Sequence, residues 1–233
     1  MIYTILITAH PDASDISHQA LSYCEALVAR GDRIKQVFFM HEANYIAVHP
    51  SAQQWSAFAV NHMIDLQTCV STAEQQSIRA RDYAAGFQQG GLSALADSIL
   101  STDEVAQFGV GSDALAVALK CEPGIEKKQT MFIFQSLPEE SSVSAEGVDL
   151  LLVLSAFEAN VKVVFKGDGI NNILSCGQRN KPRYTKRFKA LKDFDVNDIY
   201  VISDNDIDAE ISYDLLSEVQ FKQMMSQSHV LRF

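Results

Sequence analysis

Short apolar segments rich in β-branched residues alternate along this chain with longer segments whose apolar residues have helical spacing. The run at residues 2–8 is β-branched and aromatic, and Pro11 closes it, which predicts a buried strand. Apolar residues then recur every three or four positions until Gly31, which predicts a helix. Strands that alternate with helices predict an α/β fold with a mostly parallel sheet flanked by helices.

The same pattern continues through both halves of the chain. In the first half it predicts strands at 34–40, 65–70 and 104–108, helices at 55–63, 72–83 and 92–100, and a glycine-rich break at 86–91. In the second half it predicts strands at 131–135, 161–166, 199–203 and 230–233, and helices at 143–159 and 214–225. The order of elements is therefore the same in the two halves.

A local echo supports two copies of one fold. Residues 33–39 resemble residues 160–166, and each segment follows a predicted helix. Between the halves lies a stretch of weaker pattern that contains Pro123 and Gly124. We therefore expect one domain at 1–109, a linker at 110–127 and a second domain at 128–233.

The charge balance and hydropathy limit the possible partners. With 19 basic and 29 acidic side chains, the net charge of −10 disfavours broad contact with phosphate backbones, so we expect no direct nucleic-acid binding. No apolar run approaches the ~18 residues of a membrane-spanning helix. Asp12 and Asp15 interrupt any secretory segment at the N-terminus. We expect a cytoplasmic protein that does not contact membranes.

The four cysteines are widely spaced, and none forms a Cys-x-x-Cys pair that would bind zinc or exchange a disulfide. Cys24 belongs to the apolar face of the first helix, so we expect it in the core. Cys121 lies in the linker and Cys176 in a basic polar stretch, which favours exposed thiols without a role in catalysis. Cys69, at the end of the third predicted strand, is the remaining candidate.

Ligands in open α/β sheets bind beyond the carboxyl ends of the strands, where Cys69 is expected. The residues at 71–74 match a capping box, in which Ser71 and Glu74 would cap the following helix. The positive end of that helix would favour thiolate over thiol at Cys69. The alternative is that Cys69 is a small buried strand residue.

Three other patterns suggest chemistry less specifically. His10 and His41 follow the first and second strands, which leaves open a Cys/His hydrolase with Cys69, although loop histidines without that role are favoured. Gly167 to Gly169 lacks the full phosphate-loop pattern and is interpreted as a turn. The basic cluster is interpreted as a solvated helix face; it comprises Lys181, Arg183, Lys186, Arg187, Lys189 and Lys192.

The first half resembles the TusD/DsrE family of sulfur carriers, which has a cysteine after a strand in a Cys-Val-x-x-Ala setting. That setting is present here at residues 69–73, and the resemblance extends over 37–39, 91–96 and 105–108. The second half resembles the sister TusC/DsrF family at residues 146–151, 163–169 and 230–233. The resemblance implies two tandem DsrE-like domains in one α/β chain.

The resemblance also implies a function. Cys69 would carry persulfide sulfur in a relay for 2-thiouridine formation at the tRNA wobble position. A TusA-like protein would donate the sulfur, a TusE-like protein would accept it, and a TusB-like subunit would complete an oligomer. Such a sulfurtransferase needs no metal or organic cofactor. The strand expected at 199–203 has no cysteine, so the second half should be catalytically silent.

Two alternatives remain open at this point. The same relay chemistry serves sulfur oxidation in DsrE/DsrF-type proteins, and the sequence does not distinguish this role from tRNA thiolation. A noncatalytic scaffold subunit, in which Cys69 is merely packed, is a different class of function. The state of the Cys69 thiol separates the scaffold from both relays.

Overall fold

The computed structural model describes residues 1–13, 15–109, 129–136, 142–175 and 182–233. The chain divides into two compact units, Met1–Gly124 and Ile125–Phe233. The linker predicted at 110–127 lies outside the described residues, so the predicted domain boundaries remain predictions. Each unit is described separately below.

The N-terminal unit contains a five-stranded sheet in which every strand runs parallel to its neighbours. Its elements are β1 (Ile2–Ile7), α1 (Ile16–Ala29), β2 (Arg33–Phe39), α2 (Ala52–His62), β3 (Asp65–Cys69), α3 (Val70–Gln75), β4 (Phe87–Gly90), α4 (Leu92–Leu100) and β5 (Glu104–Phe108). Short 3-10 helices occupy His41–Val48 and Ala80–Asp82. The strand order is β4-β3-β2-β1-β5.

The C-terminal unit has a second parallel sheet of five strands. Its described elements are β6 (Thr130–Phe134), α5 (Ser142–Ala156), β7 (Val161–Lys166), α6 (Pro182–Lys189), β8 (Ile199–Ile202), β9 (Asp214–Leu215), α7 (Glu218–Ser226) and β10 (His229–Arg232). The 3-10 helices at Gly167–Asn172 and Ala190–Phe194 follow β7 and α6. The strand order is β10-β6-β7-β8-β9.

The two sheets have the same topology. When the strands of each unit are counted along the chain, both sheets place them in the order fourth, third, second, first, fifth. The second strand is therefore central in both, and the first strand lies between the second and the fifth. The predicted α/β class and the predicted repeat of one fold are confirmed.

The core of the N-terminal unit packs α1 and α2 against one face of the sheet. Trp55 of α2 meets Phe39 of β2 edge to face, with the ring centroids 5.3 Å apart. Cys24 of α1 is fully buried in the same cluster, as predicted. Burial raises the pKa of the Cys24 thiol far above its ordinary value, so this side chain stays a neutral thiol.

Several predicted elements are wrong in kind or extent. The glycine-rich break at 86–91 contains strand β4, whose residues Phe87–Gly90 pair with β3 although their side chains are mostly polar. The predicted helix at 72–83 is the short α3 followed by irregular chain and a 3-10 turn. The predicted helix at 214–225 begins only after β9, where Ser217 and Gln220 form a capping box.

The burial of Cys24 yields a stability prediction. Cys24→Ser should lower the free energy of unfolding by about 1–3 kcal/mol, because it places a hydroxyl among apolar side chains that offer it no partner. Trp55 is the single tryptophan of the chain and lies in the same cluster, so urea unfolding followed by its fluorescence reports on this unit.

A substitution on the exposed side of the same helix provides the control. Ser22 is exposed on α1, and Ser22→Ala should change stability by no more than about 0.5 kcal/mol. Equal midpoints for Cys24→Ser and the wild type would show that the core tolerates the hydroxyl.

Candidate active site

One cysteine lies at the carboxyl end of β3, between the carboxyl ends of β2 and β4. Cys69 is the last residue of β3 and is in register with Gly90, the last residue of β4. On the other side, the pairing of β3 with β2 ends one residue earlier, at Thr68 and Phe39. Cys69 therefore lies at the strand ends where α/β sheets bind ligands.

Cys69 is held from the side of β2 by the side chain of Asn44. The backbone N–H of Cys69 donates to Oδ1 of Asn44 at 3.0 Å, and Nδ2 of Asn44 donates to the carbonyl oxygen of Cys69 at 3.3 Å. Both residues are buried, with 2% of Cys69 and none of Asn44 exposed. A single carboxamide thus satisfies both polar groups of the Cys69 backbone.

The path of the chain after β2 explains how Asn44 reaches β3. His41 has a left-handed φ of 57°, which turns the chain out of the strand direction and into the 3-10 helix at His41–Val48. Gln76, just after α3, donates from Nε2 to the carbonyl oxygen of His41 at 3.1 Å. This 3-10 helix is therefore tied to the segments on both sides of Cys69.

The predicted capping box at residues 71–74 is wrong. Helix α3 begins at Val70 and has six residues, so its N-cap is Cys69 and Ser71 lies inside the first turn. No side chain caps the helix at Cys69. The reason is that the strand passes directly into the helix, with Asn44 supplying the partner for the Cys69 amide. The stabilised thiolate expected at Cys69 remains a prediction.

The histidines proposed for a Cys/His pair make contacts on the side of β1. The backbone of Thr8, just after β1, hydrogen bonds with His41, and desolvation by burial lowers the pKa of this imidazole. The ring of His10 lies 5.1 Å from that of Tyr45, and its Nδ1 accepts the backbone N–H of Asp12 at 3.1 Å. These contacts favour structural roles for both histidines.

The other cysteines divide into one described and two that are not. Cys24, a residue of α1, lies in the core as predicted and has no exposed surface. Cys121 and Cys176, predicted to be exposed bystanders, lie outside the described residues. Cys69 is therefore the one cysteine within the described part of the chain that lies at a strand end.

The corresponding place in the C-terminal unit has no thiol. In the sheet register Lys166 pairs with Ile202 at the ends of β7 and β8. His41 and Gly167 both have a left-handed φ just after the second strand of their units, so Phe39 corresponds to Phe165. Their partners Thr68 and Val201 therefore correspond, and the counterpart of Cys69 is Ile202. The position equivalent to Cys69 in the third strand of this unit therefore has no cysteine, in agreement with the prediction.

The glycine pair at 167–169 forms a turn, as predicted. Gly167 has a left-handed φ of 58° where the chain leaves β7 and enters the 3-10 helix at Gly167–Asn172. A side chain at Gly169 would collide with the backbone, because its Cβ would lie 1.9 Å from the carbonyl oxygen of Phe134. The backbone path therefore accounts for both glycines.

The basic cluster is mainly a helix surface, as predicted. Arg187 on α6 donates to Asp149 at 2.8 Å, and Lys189 bonds to Glu210 at 2.6 Å. Lys186 on α6 and Lys192 in the following 3-10 helix are exposed, whereas Lys181 and the side chain of Arg183 lie outside the described residues. Two of the described cations are thus already paired with carboxylates of the same unit.

The described residues offer neither a metal cluster nor a membrane span. Among them, no three His, Cys, Asp or Glu side chains are grouped so that they could hold a metal ion. No helix in the described part of the chain is long and apolar enough to span a bilayer.

Asn44 is the site residue that sequence reasoning missed. It lies in a segment that reads as a polar loop, and an isolated asparagine in a loop most often caps a turn. The available signal was its position four residues after Met40, close behind the second strand and next to the strand that carries Cys69. Only the register of β2 and β3 shows that its carboxamide meets the Cys69 backbone.

Comparison with known proteins agrees with the resemblance found in the sequence. The model of the DsrE/DsrF-like family matches residues 128–229. The sulfurtransferase TusD homolog of Aliivibrio fischeri is 32% identical over 128 aligned residues, and sulfurtransferase TusD of Proteus mirabilis is 30% identical over 129. Each match covers 46% of this chain and 98% of the relative. About half of this chain thus corresponds to a complete TusD-type protein, and the chain belongs to the DsrE/DsrF-like family.

Proposed function

We propose that this protein is a sulfurtransferase that carries sulfur as a persulfide on Cys69. The observation that supports it is the position of this thiol at the carboxyl end of the third strand, where the fold places ligands. Relatives of similar sequence are named sulfurtransferases, and the chain spans almost their whole length. Cys24, the other described cysteine, is sealed in the core.

The transfer step needs no outside oxidant or reductant. The Cys69 thiolate attacks the terminal sulfur of a donor persulfide, R–S–SH, and forms a new sulfur–sulfur bond at Sγ. The donor sulfur–sulfur bond breaks, and its electron pair leaves with the donor as the thiolate R–S⁻. The proton stays on the transferred sulfur, so the products are R–S⁻ and the Cys69 persulfide. Repetition of this step on an acceptor thiol returns Cys69 to its starting state.

The two units have unequal roles in this proposal. The N-terminal unit is the TusD-like half and carries the sulfur, whereas the C-terminal unit is the TusC-like half and has Ile202 where a carrier cysteine would be placed. An isoleucine side chain forms no persulfide. The C-terminal unit would therefore contribute binding surface rather than chemistry.

The proposed destination of the sulfur is 2-thiouridine at the wobble position of tRNA, in the cytoplasm. A TusA-like protein would supply the persulfide and a TusE-like protein would receive it, with a TusB-like subunit in the assembly. The net charge of −10 supports protein partners over direct contact with the tRNA. A relay for sulfur oxidation would use the same step at Cys69 with a different acceptor.

The burial of Cys69 supports one alternative from another class. A thiol with 2% of its surface exposed is also what a packed structural cysteine shows, which would make the chain a scaffold subunit. The scaffold and the carrier differ in one property, which is whether Cys69 accepts sulfur. Direct measurement of sulfur uptake therefore decides between them.

The carrier role predicts the site of sulfur uptake in vitro. After incubation with a persulfidated TusA-like donor, alkylation of remaining thiols and digestion, the peptide with Cys69 should gain about 32 Da, the mass of one sulfur atom. Cys69→Ser should abolish uptake with little change in side-chain volume. Sulfur on any other cysteine, with the Cys69 peptide unchanged, would refute the assignment.

The remaining three cysteines provide matched controls for that experiment. Cys24→Ser, Cys121→Ser and Cys176→Ser should each keep the uptake at Cys69. The Trp55 fluorescence of Cys69→Ser should match that of the wild type, which shows that the loss is chemical. If the wild-type protein takes up no sulfur under conditions in which a known TusD takes up sulfur, the scaffold role is favoured.

The tRNA role predicts a phenotype in cells. Expression in a bacterium that lacks its own TusD and TusC should restore 2-thiouridine in hydrolysed tRNA, measured by nucleoside mass spectrometry, and Cys69→Ser should not. Uptake of sulfur by Cys69 in vitro without any restored 2-thiouridine would point instead to the sulfur-oxidation relay.

A further inference from the structure

We propose that Asn44 is a positioning residue that fixes the backbone of Cys69 for sulfur transfer. This inference rests on the proposed carrier role of Cys69 and extends it to a residue that does not itself touch the transferred sulfur. Its basis is the pair of hydrogen bonds between one buried carboxamide and the N–H and carbonyl of Cys69. Substitution of Asn44 alters these two hydrogen bonds and leaves the Cys69 thiol itself unchanged.

Asn44 continues the sheet where the strand has ended. The ladder between β2 and β3 stops at Phe39 and Thr68, and the chain after β2 then turns away at His41. The next peptide of β3 needs a donor and an acceptor in its place, because a buried backbone group without a partner costs about 1–3 kcal/mol. A carboxamide carries the same donor and acceptor as a peptide group, so Asn44 replaces the missing strand residue.

The position of these bonds makes them relevant to the chemistry. Cys69 is the last residue of β3 and the N-cap of α3, so its backbone is the joint between a strand and a helix. Rotation about this joint would redirect the Cα–Cβ bond and with it Sγ. Attack of Sγ on a sulfur–sulfur bond needs an in-line approach, and a misplacement of about 1 Å at a reacting centre can reduce a rate about 100-fold.

A buried Asn in the other unit serves as the matched control. Asn172 is 1% exposed, lies in the 3-10 helix after β7, and donates from Nδ2 to the carbonyl of Gly169 at 2.8 Å. It occupies a similar place after the second strand of its unit, but the third strand there ends without a cysteine. Substitutions at Asn172 therefore show what the loss of a buried carboxamide does to the protein when that carboxamide does not contact Cys69.

The most informative variant is Asn44→Asp. When ionised, the new carboxylate can still accept the N–H of Cys69, but its second oxygen would face the Cys69 carbonyl and repel it. Once protonated, the side chain can donate to that carbonyl again. Burial raises the pKa of a carboxyl, so protonation should occur within an accessible range. The defect should therefore be relieved by acid, an effect that a general loss of packing does not produce.

The experiment measures the rate of sulfur uptake by Cys69 from glutathione persulfide, relative to the wild type at each pH. For Asn44→Asp we expect this ratio to be about 0.01 near pH 8 and to rise about tenfold toward about pH 5.5. For Asn44→Ala we expect a ratio of about 0.1 or less that stays flat with pH. His41, Glu42 and Glu74 are present in the wild type and in both variants, so the ratio to the wild type at each pH removes the effects that they share.

The controls separate positioning from folding. Asn172→Asp and Asn172→Ala should keep ratios within about threefold of 1 at every pH. Trp55 fluorescence selects conditions in which the N-terminal unit is folded, and if Asn44→Asp is unfolded there, Asn44→Ala alone decides. A folded Asn44→Ala with the wild-type rate would overturn the inference. So would a folded Asn44→Asp whose ratio does not rise as the pH falls.

The same experiment distinguishes the inference from the function on which it rests. If the wild type takes up no sulfur at Cys69, the carrier role itself is refuted. If the wild type is loaded and the Asn44 variants are loaded equally fast, the carrier role stands and the positioning role is refuted.

Discussion

Parallel pairing of the strands is the constraint on which the other features of each unit depend. The first strand of each unit pairs with two parallel neighbours, and the carboxyl ends of all strands in a sheet lie on the same side. Peptide groups just past the ends of the strands no longer pair with a neighbouring strand, so they must find hydrogen-bond partners elsewhere. In the N-terminal unit Asn44 meets this requirement at Cys69. The support of the candidate site therefore follows from how a parallel sheet ends.

The elements that the sequence predicted well are those whose own residues determine their structure. Strands β1, β2 and β7 are rich in β-branched and aromatic residues, and α1 has a continuous apolar face. Strand β4 was missed because Phe87 is the only strand-favouring residue of Phe-Gln-Gln-Gly, and the segment gains its conformation from pairing with β3. The start of α3 was misplaced because a local capping pattern at Ser71 was outweighed by the direct passage from β3. In both cases tertiary pairing decided what local sequence could not.

The candidate site was predictable in part for the same reason. Cys69 could be singled out because its position depends only on which strand it ends. Asn44 could not, because its role depends on the register between two strands and on the turn at His41. The contrast between Cys24 and Cys69 makes the same point, since both are buried but one lies within a helix face and the other at a strand end. Burial alone does not separate a structural thiol from a carrier.

If sulfur in transit resides on Cys69, the state of this thiol in growing cells shows it directly. Rapid alkylation during lysis, purification and peptide mass spectrometry would show which cysteine carries a persulfide without any added donor. We expect a persulfide on Cys69, with more of it in cells that lack the downstream acceptor, and none on Cys24. A Cys69 that is always a free thiol, while Cys121 or Cys176 carries the sulfur, would contradict it.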